Sequence, residues 1–358
     1  MIKEEAISDA LSAKISVLVK RIIEAMPKSP QAIYLVGGYG RGEGAWYEDE
    51  DGLHPYNDFD LAVITENPLS HEKTEALRKE LAKEVGIKWV DIDYYSIGKL
   101  RSLTPTIHNV DLLEGGSLIY GDDVIKTYNI IIDKKQIGKE DIIKLYRTRM
   151  WTFLGSWDGA FRNLNVEESR FFRNQMAKAV LAANDMRLVN LKEYTTSYCE
   201  RAKIIMSEFK DDASIYELTE WAIKEKLRSS STEITKNGME RLYFCVKDDF
   251  LKAFQTSMGD DADYFLDPTK TQRYYLFHTR IYLSHFYQLL KHRRSVVKRS
   301  MDIFYAMNYV FHANQYGKIN EGMIKKASNL LMKHGYIHQP DYNWDELRLL
   351  TANARNNI

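Results

Sequence analysis

Two pairs of aspartates have the spacing that most plainly invites chemistry. Asp58 and Asp60 open the apolar run DFDLAVI (58–64), and Asp91 and Asp93 lie inside WVDIDYYS (89–96). Side chains alternate along a β-strand, so the carboxylates of each pair share one face. Like charges ~4 Å apart repel by about 4 kcal/mol at an effective dielectric of ~20. A divalent cation turns that repulsion into affinity. Magnesium takes hard oxygen ligands from one or two carboxylates and completes its octahedron with phosphates and water. If the two strands are neighbours, three or four carboxylates converge. That arrangement suits two metals clamping the attacking and leaving oxygens of an in-line phosphoryl displacement.

Upstream stands YLVGGYGRGEG (34–44). It has no Gly-Lys-Ser/Thr ending, so it is not a Walker A loop. It also misses the G-x-G-x-x-G spacing, because Glu43 occupies the place of the third glycine after Gly38 and Gly40. What remains is a strand-to-helix turn where backbone amides can approach a phosphate closely. Arg41 could neutralise phosphate charge, or it could pair with Glu43 on the surface.

Taken together, VGGYGRGE, DFDLAVI and VDIDYY resemble the polymerase-β-type nucleotidyltransferase superfamily. The form GGYGRGE is especially similar to bacterial protein uridylyltransferases, and the core is similar to aminoglycoside nucleotidyltransferases. The resemblance covers about residues 30–95 and, more loosely, DLLEGGSLIYGDD (111–123). It implies that Gly37 and Gly38 hold the triphosphate turn, with Arg41 and Glu43 in the nucleotide-binding loop. It implies that Asp58, Asp60 and Asp91 bind two magnesium ions, with manganese as a substitute. The third acid, matched best by Asp91 with Asp93 one pleat along, helps to activate the acceptor hydroxyl. One feature departs from the pattern. Asp58 follows Gly38 by 20 positions, longer than the family's usual gap, and the acidic segment 46–57 (WYEDEDGLHPYN) reads as a loop inserted at the mouth of the site. Asp122 and Asp123 read as turn residues.

The elements that must position these groups are legible in outline. Residues 4–26 have helical spacing and end at Pro27 and Pro30. AIYLV (32–36) reads as a buried strand, HEKTEALRKELAKEV (71–85) as an amphipathic helix closed by Gly86, and SLIYGDD (117–123) as a further strand and turn. Polar linkers fall near 126–138 and 229–238. No strand of comparable quality follows residue 135. The expected class is α+β: a catalytic domain over 1–130, with a mixed sheet and flanking helices, then an all-α domain over 131–358 for acceptor binding or regulation. Segment 171–201 is similar to helices that follow the core in other nucleotidyltransferases, and there Lys178 and Asp185 could reach a base or acceptor. Arg273 with His278, and Arg280 with His285, resemble in spacing the motif of HEPN-type ribonucleases. The basic patch at 291–299 could meet phosphates.

Bulk composition narrows the class. The 358 residues carry 50 Lys and Arg against 50 Asp and Glu, so there is no global basic field of the kind nucleic-acid binders show. Two cysteines match no metal spacing. No apolar run reaches the ~18 residues of a membrane span, and the N-terminus lacks a signal-peptide core; a cytoplasmic protein without membrane partners is expected. The expected activity is transfer of a nucleoside monophosphate from a nucleoside triphosphate to an acceptor hydroxyl, with release of pyrophosphate. The base is not readable. The acceptor could be a small molecule, a protein side chain or an RNA end. The alternatives are a non-catalytic nucleotide-sensing or antitoxin-like module, and an RNA-processing protein using the helical half.

Overall fold

The run AIYLV is apolar throughout, and it becomes the strand around which the first half is built. A computed structural model describes residues 4–50, 52–56, 58–271, 294–339 and 341–356. The chain is α+β and divides into two units. The first comprises Met1–Gly138, Leu191–Lys210 and Ile223–Ser229; the second holds Lys139–Asn190, Asp211–Ala222 and Ser230–Ile358.

In the first unit the chain runs α1 (Glu4–Ala25), β1 (Ala32–Val36), a single turn α2 (Gly37–Gly40), β2 (Trp46–Asp49), β3 (Gly52–Pro55), β4 (Phe59–Ile64), α3 (His71–Val85) and β5 (Val90–Tyr95). It continues through α4 (Ile97–Arg101), α5 (Ile107–Gly115), β6 (Ser117–Gly121) and α6 (Val124–Thr127). Four strands form one sheet in the order β5-β4-β1-β6. β1 is antiparallel to β4 and β6, while β4 and β5 are parallel. The sheet is therefore mixed, and α3 makes the crossover that a parallel pair requires. Helix α3 starts where Ser70 accepts from the Lys73 amide and stops at Gly86 in the left-handed region (φ 71°).

Alternation along the strands separates two faces. Ile33, Leu35, Leu61, Val63, Val90 and Ile92 pack against Leu18 and Ile22 of α1 and Leu77 and Leu81 of α3. Each such side chain, fully buried, contributes about 1.5–3 kcal/mol. The opposite face carries Tyr34, Ala62, Ile64 and Tyr95, covered by Leu100, Leu112 and Val124 from α4, α5 and α6. Asp60 shares the parity of Ala62 and Ile64, so it belongs to this second face.

The segment 46–57 is not the turn-rich loop expected from sequence. β2 and β3 pair as an antiparallel hairpin, Trp46 opposite Pro55 and Asp49 opposite Gly52. Its root is apolar: Trp46 meets Tyr39 edge-on at 5.7 Å and is buried in the cluster that covers the α1–α3 face. Tyr39 in turn packs on Phe59 at 4.5 Å and donates to the Ala45 carbonyl. Burying two large aromatic rings outweighs exposing a short acidic tip, and it fixes the hairpin's root on the face away from Asp60 and Asp91. The turn readings hold at Asp123, whose side chain caps α6 by accepting from Lys126 N and also accepts from Tyr34 Oη at 3.0 Å.

The second unit is built on helices, including α7 (Lys139–Gly155) and α8 (Val166–Leu191), before α9 (Tyr198–Glu208) returns to the first. It resumes with the first part of α10 (Ala213–Leu227), then α11 (Lys236–Met258), and helices at Arg294–Ala313, Glu321–Met332 and Trp344–Asn356. Helix α8 is buried almost all round, as a central helix must be. Its Arg187 pairs with Asp249 of α11, both side chains nearly fully buried. Asp185, expected on a helix face able to reach a nucleotide, is 7% exposed, and Lys178 lies on the same helix. Among the described residues, a two-stranded hairpin, β7 (Asn314–Gln315) with β8 (Lys318–Ile319), stands between the helices of the second unit. Arg273, His278, Arg280, His285 and the start of the 291–299 patch lie outside the described residues. No helix among the described residues is long and apolar enough to cross a membrane.

Candidate active site

The sheet brings the aspartates together by register. Val36, the last residue of β1, pairs with Asp60 on β4, and Asp60 pairs with Asp91 on β5. Asp93 lies opposite Ala62, two residues along. Directly paired residues on neighbouring strands point the same way, so Asp60 and Asp91 stand side by side. Asp58 lies ahead of Phe59, the first residue of β4, and is exposed.

Gly37 completes this corner. Its φ is +64°, a left-handed backbone that glycine adopts without strain. A Cβ built on it would stand 2.2 Å from Asp60 Oδ2. Glycine is therefore required twice over, by its backbone angle and by the carboxylate that fills the space of a side chain. The expected strand-to-helix turn is present in α2, and Glu43 N donates to the Gly38 carbonyl at 2.8 Å to fold the loop back.

Around this corner lies a cavity of about 320 Å³, lined by Gly37, Asp60, Asp91, Asp93, Tyr95 and, from α5, His108 and Asp111. Asp91 Oδ1 accepts from Trp89 Nε1 at 2.8 Å and lies 3.9 Å from Arg78 Nη2. Tyr95 Oη and His108 Nε2 are 3.0 Å apart. Burial first, and then the Asp93 carboxylate, push the Tyr95 phenol up to about 12. A larger cavity, about 620 Å³, lies in the second unit along α11, where Phe244 and Tyr316 stack; the paired acids are in the smaller one.

The donor set bears on the expected metals. Among the described residues no group of three or more His, Cys, Asp or Glu is placed to hold a metal ion. The convergence of three or four carboxylates is thus reduced to an opposed pair, Asp60 and Asp91, with Asp93 one pleat further along. A pair of carboxylates suffices for a magnesium ion whose other ligands are phosphate oxygens and water, so the corner fits one such ion better than a closed cage.

Arg41 and Glu43 are engaged elsewhere. The Arg41 side chain is only 4% exposed, with Nε 3.6 Å from Glu43 and Nη1 3.3 Å from Asp111. Its guanidinium lies 4.6 Å over the Tyr198 ring. The ion pair weighed from sequence exists, but it is buried rather than on the surface. Glu43 accepts from Ser197 Oγ (2.7 Å), Tyr198 N (2.7 Å) and Cys199 N (3.0 Å), at the start of α9. Asp111, on the cavity wall, is gripped by Tyr194 Oη (2.8 Å) and Arg201 Nη2 (3.0 Å) as well as Arg41. Residues 194–201 therefore clasp both the glycine loop and the wall of the cavity, and neither Arg41 nor Glu43 lines it.

That clasp depends on pH. Burial alone would raise the Glu43 carboxyl, but the hydrogen bonds from Cys199, Ser197 and Tyr198 outweigh it and hold the group below its ordinary 4.5. A depressed carboxylate contributes stability that is present above the unfolded value and lost as pH falls through the folded one. Unfolding midpoints followed by circular dichroism are expected to show acid destabilisation setting in below about pH 4.5, smaller in Glu43→Gln by the share that Glu43 contributes, while other depressed carboxyls such as Asp302 keep theirs. At neutral pH, Glu43→Ala leaves three donors without their acceptor and the buried Arg41 guanidinium with Asp111 as its remaining acidic partner, and is expected to cost about 3 kcal/mol.

Sequence reasoning missed Tyr95, His108 and Asp111. His108 and Asp111 are three apart on α5, and such spacing puts two polar groups on one helix face; that was the available signal. Nothing local announced the contribution of 194–201.

No family model matches the sequence, and no curated protein matches it. Among the similar solved structures, three match over about a third of the chain. A mutant of the toxin–antitoxin pair MntA–HpeT is 20% identical, covering 32% of this chain and 86% of that one, with a TM-score of 0.22. A complex of tri-AMPylated Shewanella oneidensis HEPN toxin with MNT antitoxin is 21% identical, covering 33% and 82%, with a TM-score of 0.22. A toxin–antitoxin with AMP-PNP is 23% identical, covering 33% and 86%, with a TM-score of 0.22. Scores this low lend no weight to a shared fold or activity.

Proposed function

We propose that the first unit is a nucleotidyltransferase of the polymerase-β type, transferring a nucleoside monophosphate from a nucleoside triphosphate to an acceptor hydroxyl. The observation that carries this reading is the corner where Asp60 pairs with Asp91 and Gly37 leaves room for the Asp60 carboxylate. It joins the order and spacing of the motifs in the sequence. Asp60 and Asp91 would hold magnesium, with Asp58, just ahead of β4, within the same motif. Bound there, the ion supplies neutralisation of the charge that develops on the transferred phosphoryl group.

The chain's own residues have separable tasks. Gly37 and Gly38 keep side chains out of the turn and expose backbone amides to the triphosphate. Trp89 and Arg78 fix Asp91 from outside the cavity, so its carboxylate is positioned before a ligand arrives, and preorganised groups cost no reorganisation during the reaction. The clasp at Glu43 and Asp111 holds the loop and the α5 wall. The acceptor belongs to the same broad set as before: small molecule, protein or RNA.

Incubating the full chain with each α-labelled nucleoside triphosphate and magnesium in clarified lysate tests the proposal. Label is expected on one acceptor class, with pyrophosphate released and both effects abolished by chelation. Binding of triphosphate with no pyrophosphate release would overturn catalysis and support the nucleotide-sensing alternative.

A further inference from the structure

We propose that His108 takes the proton from the acceptor hydroxyl, an assignment that rests on the nucleotidyl-transfer reading and adds to it a group the sequence motifs do not contain. Asp60 and Asp91 are the opposed pair suited to a cation. Asp111 has its oxygens taken by Tyr194, Arg201 and Arg41. His108, from the first turn of α5, is the nitrogen base among the described lining residues.

Its ring is oriented but not consumed. Nε2 contacts Tyr95 Oη at 3.0 Å, and among the described residues no hydrogen bond reaches Nδ1. A phenol oxygen can accept as well as donate. Tyr95 can therefore accept from Nε2–H both before and after Nδ1 gains a proton, and the ring need not move during the step. The charged and titratable groups around it are Asp91, Asp93 and Tyr95 on β5, Asp60 on β4, Asp111 on α5, and Lys99 of α4, whose Nζ lies 4.3 Å over the Tyr95 ring.

The step balances. The acceptor oxygen bonds to the α-phosphorus as its hydrogen passes to His108 Nδ1. The bond from the α-phosphorus to the bridging oxygen breaks, and pyrophosphate departs with that electron pair. Asp93 is the competing base. An imidazole suits proton transfer near neutral pH better than a carboxylate, because catalytic efficiency peaks when the base's affinity for protons matches the working pH.

The test uses the full chain, α-labelled nucleoside triphosphate, magnesium and clarified lysate as acceptor source, over pH ~5 to ~8. His108→Ala and His108→Gln are expected to lower the transfer rate about 10²- to 10⁴-fold, with the apparent KM for triphosphate changed less than about twofold. The acid limb of the pH profile is expected to flatten. Added imidazole is expected to restore part of the rate to His108→Ala, which a merely structural role would not allow. Tyr95→Phe is expected to lose less and to keep the limb. His108 is exposed, so both variants should melt with the wild type. A wild-type rate and acid limb in His108→Ala, or loss of the limb in Asp93→Asn instead, overturns the assignment. Transfer that survives Asp60→Asn overturns the nucleotidyl-transfer reading itself, whatever His108 does.

Discussion

Asp60→Asn is expected to remove nucleotidyl transfer by about 10³-fold or more, with no loss of fold. The size follows from the position. Asp60 is half-buried, faces the cavity and pairs with Asp91 across a parallel ladder. Its neutral isostere keeps shape and hydrogen-bonding capacity but loses the charge that would attract a cation, and removing one preorganised electrostatic group commonly costs ~10²–10³ in rate. Here the loss extends further, because the same charge would hold a metal and align the phosphate. The backbone at Asp60 is fixed by β1 and β5 on either side, so an unchanged melting temperature is expected. The measurement is release of labelled pyrophosphate beside a thermal melt. Turnover within tenfold of wild type would remove Asp60 from the chemistry. Asp58→Asn serves as the comparison, and a smaller loss is expected because Asp58 stands outside the strand and exposed.

Gly37→Ala is expected to reduce transfer about 10²-fold for a different reason. Two costs coincide. The left-handed φ of +64° costs a non-glycine residue about 1–2 kcal/mol. The new methyl would also lie 2.2 Å from Asp60 Oδ2, so the carboxylate must swing away. Misplacing a reacting group by ~1 Å can cost about 10²-fold. Stability should fall by about 1–2 kcal/mol, small beside the loss of rate. Gly42, also at positive φ (+73°) but with nothing near its Cβ position, separates the two causes: Gly42→Ala is expected to show the backbone cost without the catalytic one. Equal activity losses in the two variants would mean that loop strain alone, and not the approach to Asp60, explains the glycine.

Much of the fold was legible because its signals are local. AIYLV is apolar throughout and bounded by Pro30-Gln31 before it and Gly37-Gly38 after it, so burial could be read from composition. Helix α3 begins at Ser70 and ends at Gly86 by capping chemistry that operates within four residues. The hairpin at 46–55 was not legible as structure, although its sequence contains the reason. Trp46 is a single apolar residue at the edge of an acidic run, and its burial depends on Tyr39 and Phe59 being already in place.

The amino-acid sequence by itself determined which residues alternate on each strand, and hence that Asp91 and Asp93 share one face of β5 and that Asp60 has the parity of Ala62 and Ile64; Asp58, expected to pair with Asp60, lies ahead of the strand. Strand geometry fixes that parity within a few residues. Only the tertiary structure decided which acids meet: the register that sets Asp60 beside Asp91, the placement of His108 and Asp111 on the wall, and the return of residues 194–201 to hold Glu43. These contacts join residues up to 156 positions apart. No local rule specifies such a pairing, because it is settled by how whole elements bury their apolar faces together.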